Sequence, residues 1–159
     1  MLLRRSAILV LLVVLVAAIA VVSVNAQSAS SGPNLNNLKS GNGGYSVTLG
    51  GKSAGTMQSL AAKPMISPLY GSICQGQTEW AQVTITGYTT SFTDDLWWGT
   101  SNTLSLTVYT PDGYVLGPYS SNTGNLQVTI SKSTGVADGT YYFKIYGQQV
   151  VGSQSYTFT

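Results

Sequence analysis

Leu104, Leu106 and Val108 alternate with Ser105, Thr107 and Tyr109, the period of a strand that turns one face to a core. Thr110–Gly113 reads TPDG, a turn in which Pro presets φ and Asp and Gly tolerate the closing positions. Extended structure resumes at Tyr114–Leu116, so the stretch predicts a hairpin. The same alternation recurs downstream: Ala81, Val83 and Ile85 within Glu79–Thr86; Phe92, Leu96 and Trp98 within Tyr88–Trp98, with Trp97 on the other parity; Leu126, Val128 and Ile130; Tyr141, Phe143 and Ile145, with Tyr142, Lys144 and Tyr146 opposite; and Tyr156 and Phe158 at the end. Leu69–Ile73 predicts a further short strand. Asp138-Gly139 marks a tight turn. No stretch after residue 69 has helical periodicity. About eight short strands spaced roughly ten residues apart predict an all-β protein, an antiparallel sandwich.

The chain before residue 69 reads differently. Met1–Arg5 is a short basic stretch, Ala7–Val24 is almost unbroken apolar sequence, and Val24-Asn25-Ala26 offers a cleavage site. Residues 1–26 therefore read as a secretory signal helix, long enough to serve instead as an uncleaved membrane anchor. Either reading places the rest of the chain outside the membrane, extracellular or at the cell surface. Residues 27–68 read as a flexible arm, because Gln27–Gly44 is rich in Gly, Ser and Asn and has no periodicity. A short strand signal at residues 45–49, with Tyr45, Val47 and Leu49 on one face, interrupts it. This strand belongs either to the edge of the domain or to a candidate assembly arm that adds to the edge of a neighbour's sheet.

Composition narrows the functional classes. Only 8% of residues are charged, against about 25% in an ordinary globular chain. The formal net charge is +2, but Arg4 and Arg5 lie in the leader, and beyond it five Lys face four Asp and one Glu. A neutral body lacks the basic footprint that nucleic acid requires and leaves copies free to associate. The sequence has no His, which removes the commonest general base and most zinc sites. Glu79 is the lone Glu, too few for a glycosidase pair that needs two carboxylates in one cleft. The chain reads as a non-enzyme. Cys74 is the only Cys, so it is either a small buried residue or an intermolecular crosslink.

Gln75–Thr86 (QGQTEWAQVTIT), Leu96–Gly99 (LWWG), Leu104–Gly113 (LSLTVYTPDG), Asp138–Gly147 (DGTYYFKIYG) and Ser155–Phe158 (SYTF) occur in that order. Together they resemble the pre-peptidase C-terminal (PPC) domain of bacterial and archaeal secreted proteins, especially its version in small secreted proteins of methanogenic archaea. The resemblance covers residues 69–159. It implies a jelly-roll-like β-sandwich that is not itself catalytic and that accompanies peptidases, sits on surface proteins, or binds polymers and other proteins. The strand before the turn departs from relatives by carrying Ser105 and Thr107 where many have acids, which undercuts a borrowed calcium site.

Two kinds of site remain. Asp94, Asp95 and Asp112 are the candidates for calcium, which takes several hard oxygens, but Asp94 and Asp95 point to opposite faces of a regular strand. No other cofactor is implied. Trp80, Trp97, Tyr109, Tyr142 and Tyr146 face outward by parity and form a candidate aromatic binding surface. The leading expectation is a secreted cell-envelope protein that self-assembles into a sheath, filament or surface layer, its partners being itself or other envelope proteins. The alternative is a monomeric binding module for polysaccharide or protein. Membrane contact is expected only through residues 1–26.

Overall fold

The computed structural model describes residues 27–28, 32–50, 69–99 and 101–159. The predicted signal helix lies outside them. Among the described residues ten strands are present: β1 (Gln27–Ser28), β2 (Ser46–Gly50), β3 (Leu69–Cys74), β4 (Thr78–Ile85), β5 (Ser91–Trp97), β6 (Thr103–Tyr109), β7 (Val115–Ser121), β8 (Asn125–Ser131), β9 (Gly139–Gln149) and β10 (Ser153–Phe158). They form two antiparallel sheets, ordered β1-β4-β9-β6-β7 (sheet I) and β2-β8-β5-β10-β3 (sheet II). Among the described residues the only helical piece is a short 3-10 turn at Leu35–Asn37.

The inner face of each strand is the apolar parity of the sequence. From sheet I, Ala81, Val83, Ile85, Leu104, Leu106, Val108, Tyr141, Phe143 and Ile145 are buried. From sheet II, Ile73, Leu96, Val128, Ile130, Tyr156 and Phe158 meet them. Phe143 and Phe158 join the two layers, ring centroids 4.9 Å apart. Removing each such side chain from water contributes about 1.5–3 kcal/mol.

The predicted hairpin is β6–β7. Gly113 N–H donates to Thr110 C=O at 3.0 Å, and Thr110 Oγ1 donates to Asp112 at 2.6 Å. Gly113 closes the turn at φ 93°, a backbone region in which only Gly rests without cost. Tyr88–Thr90, read as part of a strand, precedes β5, which begins at Ser91.

For residues 45–49 the structure shows the domain's own edge and not a free arm. Residues 45–50 belong to the sandwich: β2 pairs with β8 of its own chain, Val47 opposite Ile130 and Leu49 opposite Val128. Tyr45 is 2% exposed, a core residue. Its hydroxyl donates to Asp112 (3.0 Å), accepts from Ala137 N–H (3.2 Å) and meets the Tyr141 hydroxyl (3.3 Å). Lys132 completes the cluster, 3.1 Å from Asp112 and 4.3 Å above the Tyr45 ring. The rest of the described arm lies along sheet I. Gln27 and Ser28 pair with Gln82 and Ala81, and Lys39 N–H donates to Gly113 C=O at 2.9 Å.

Burial acts to raise the Asp112 pKa, but hydrogen bonds from Thr110, Lys132 and Tyr45 and the Lys132 charge outweigh it, leaving Asp112 below its ordinary 3.8. A depressed carboxyl stabilises the fold above its unfolded pKa, and that contribution is lost as pH falls through the folded value. Two predictions follow from this cluster. Tyr45→Phe should cost about 1–3 kcal/mol in chemical denaturation, because buried partners of the hydroxyl are left unsatisfied. The stability gap between the native chain and Asp112→Asn should be constant at neutral pH and close below pH ~4.

Candidate functional site

The outer face of sheet I is set by the register of β9. Three rows run across β4, β9 and β6: Thr78–Tyr146–Ser105, Trp80–Lys144–Thr107 and Gln82–Tyr142–Tyr109. Parity thus brings Trp80, Tyr109, Tyr142 and Tyr146 onto one face, as the sequence leads one to expect. It does not bring Trp97, which stands on β5 in sheet II, 57% exposed on the opposite outer face.

The four aromatics on sheet I are not equivalent. The Trp80 and Tyr109 rings pack together with centroids 5.5 Å apart. The arm crosses Trp80 at Gly32, where a Cβ would lie 2.5 Å from the indole, so only Gly admits that approach. These two rings serve packing. Tyr146 instead borders a groove of about 370 Å³ with Ser105, Thr107, Pro118, Ser120, Lys144 and Gln148. The Lys144 ammonium sits 5.8 Å from the Tyr146 ring centroid, in cation–π range.

Sequence reasoning missed the polar members of this groove. Their signal was present: Ser105 and Thr107 are the outward positions of the very strand whose alternation is clearest, and Lys144 and Gln148 share the parity of Tyr146 on β9. Chemically the groove offers hydroxyls, an amide, one ammonium and one ring. Among the described residues no acid or Cys lines it. Such a surface can hydrogen-bond a neutral, hydroxyl-rich ligand and stack one of its faces.

The three acids weighed for calcium are far apart in role. Asp94 is fully buried between the sheets. Asp95 points outward and accepts from Gln127 Nε2 at 2.8 Å. Asp112 lies at the β6–β7 turn, paired with Lys132. The structure does not bring them together, and among the described residues no group of three or more His, Cys, Asp or Glu could hold a metal ion. Cys74 ends β3, half-buried with its thiol free.

Trp97 shares a row of sheet II with Tyr70 (74% exposed), Thr157 and Asn125. A shallow hollow of about 200 Å³ lies beside it, lined by Asp95, Leu96, Trp97, Asn125, Thr157 and Thr159.

No family model, curated protein or solved structure matches the chain. The fold and the surface therefore define a class, an all-β sandwich of two antiparallel sheets, and nothing narrower.

The tryptophans give a direct check on these placements. Trp98 is 2% exposed and donates its indole N–H to Asn102 C=O at 2.8 Å. Iodide quenching should act chiefly on Trp97: Trp97→Phe should remove most of the quenchable emission, and Trp98→Phe should leave it. Equal quenching of Trp98 would contradict the assignment of faces.

Proposed function

We propose that this chain is a secreted, non-catalytic binding module that holds a neutral polysaccharide along the outer face of sheet I, in the extracellular space or at the cell surface. The observation that carries the reading is the groove itself, in which Tyr146 and Lys144 stand among Ser, Thr and Gln on a rigid face. Binding sites of this kind orient a ligand with a few fixed polar groups around an apolar platform. The near-zero charge of the body favours an uncharged ligand over an acidic or basic one. The strand order of β3–β10 supports the finer reading of the fold as a jelly roll, two interlocked Greek keys. On this reading the resemblance to the PPC domain, whose members include polymer binders, extends to function.

We do not assign Tyr45, Val47 and Leu49 the role of an assembly arm. Tyr45 is core and β2 fills an edge of its own sheet, so donating this strand to a neighbour would forfeit the Tyr45–Asp112 hydrogen bond.

The test is retention of the purified protein on insoluble neutral polysaccharides, with acidic polymers as controls. Tyr146→Ala should weaken binding about tenfold, the scale of one lost contact residue, with an unchanged circular-dichroism spectrum. Trp97→Ala, on the opposite face, should leave this binding unchanged. Equal losses from both substitutions, or retention on acidic polymers alone, would refute the assignment to sheet I.

A further inference from the structure

A sheet edge presents unpaired N–H and C=O groups, and proteins normally block it with Pro, charge, bulges or a covering segment. Sheet I is protected at both ends. Gln27 and Ser28 cover part of β4. At the other end β7 carries Pro118, and the β6–β7 register breaks between Leu106 and Val108. Sheet II ends on β2 and on β3, and the sequence of β3, LYGSIC, has no charge, no Pro and an unbroken register with β10. Among the described residues, β10 is its only strand partner.

The direction of its free groups can be read from one end. Cys74 N–H donates to Gln77 Oε1 at 2.7 Å, and Cys74 C=O accepts from Gln77 N–H at 3.1 Å. Both groups of Cys74 therefore turn away from β10. In an antiparallel ladder, alternate residues bond to the same side. Ile73, Gly71 and Leu69 thus bond to β10, and the N–H and C=O of Ser72 and Tyr70 aim outward. The edge offers two donors and two acceptors, and Cys74 adds none because Gln77 takes both of its groups.

We propose that two copies of this chain associate by pairing β3 with β3, antiparallel, about a two-fold axis at Gly71. This register places Tyr70 opposite Ser72 of the second copy and Ser72 opposite its Tyr70, satisfying all four outward groups of each strand with four hydrogen bonds. A register slipped by one residue, with the axis between Gly71 and Ser72, would oppose outer side chains to inner ones. One centred on Ser72 would oppose Tyr70 to Cys74, whose groups are already engaged. The neutral body adds no repulsion between copies. The product is one continuous sheet made of two copies of sheet II, with Tyr70, 74% exposed in the single chain, at the seam. The partner is a strand of the same sequence, distinct from the polysaccharide proposed for sheet I.

The register also fixes the cysteine chemistry. The two Cys74 residues would lie six positions apart along the seam, about 20 Å, beyond disulfide reach. Association therefore proceeds without a crosslink at Cys74.

The experiment is sedimentation equilibrium on protein purified after expression of the full chain, native and as Ser72→Pro and Tyr70→Lys. The native protein should show a reversible dimer, and each substitution should lower the association constant about tenfold or more. Crosslinking supplies a second measure that does not require β3 to tolerate Pro or Lys. Tyr70→Cys and Ser72→Cys are made separately in a Cys74→Ser background and mixed under mild oxidation. Residues 70 and 72 across the seam have Cα atoms about 5.5 Å apart, within disulfide range, whereas like residues are offset to about 8 Å. Mixed dimers should form faster than either homodimer. A monomer at every concentration, a dimer indifferent to both substitutions, or ready oxidation of native Cys74 into dimers would each overturn the proposal.

Discussion

β9 is the constraint on which the rest of the molecule depends. It is the longest strand, it pairs with β4 through eight residues and with β6 on its other side, and its two faces do different work. Tyr141, Phe143 and Ile145 fill the core, while Tyr142, Lys144 and Tyr146 define the outer surface. The side-chain period of a strand is two, so a slip of one residue would exchange these sets. Three buried side chains thus hold the groove residues in place. The groove needs no dedicated scaffold beyond the alternation that builds the core.

Polar side chains other than charges tie the ends of the sandwich. Asn102 Nδ2 donates to Gln154 Oε1 (2.7 Å), Gln154 Nε2 donates to Trp98 C=O (3.0 Å), and Val151 N–H donates to Asn102 Oδ1 (3.2 Å). Gln75 clamps the β9–β10 turn by accepting from Val150 N–H (2.7 Å) and donating to Gln148 C=O (2.9 Å). On sheet II, the Thr93 and Thr129 hydroxyls meet at 2.8 Å. Amides and hydroxyls do not titrate between acid and moderate alkali, and their desolvation costs less than that of ions. This accounts for a fold that stands with 8% charged residues. The titrating exceptions are few: Tyr156 is pushed up to about 12 by burial and by the nearby Glu79 charge, and Tyr141 is raised further, again chiefly by burial. Both favour the neutral phenol of the folded state, so their contribution is present below pH ~10 and declines above it.

The strands were legible because each carries its own evidence. In Leu104–Tyr109 or Tyr141–Tyr146, six neighbouring residues suffice to name the inner and outer faces, and all the inner ones are buried. The Asp94/Asp95 split was readable for the same reason. What escaped depends on distant residues. Tyr45 looks like part of a polar arm because its partners Asp112 and Tyr141 stand 67 and 96 positions away. Trp97 was grouped with the wrong aromatics because parity reports a side of a strand but not the sheet that receives it. The groove was missed as a unit because its members come from β6, β7 and β9, adjacent only through topology.

The two sheets divide the exposed chemistry unequally. Sheet I spends its aromatic pair Trp80 and Tyr109 on packing beneath Gly32, and its edges are covered or broken. A strand cannot readily be added there, which leaves its face to a ligand that lies across strands rather than beside them. Sheet II shows the reverse: its outer face carries isolated rings, Tyr70 and Trp97, on a lawn of Ser and Thr, and among the described residues nothing blocks its β3 edge. Edge pairing is thus blocked on sheet I and left open along β3. Neutrality alone would predict indiscriminate association of both. Protection confined to sheet I instead directs association to sheet II and keeps the groove clear of it.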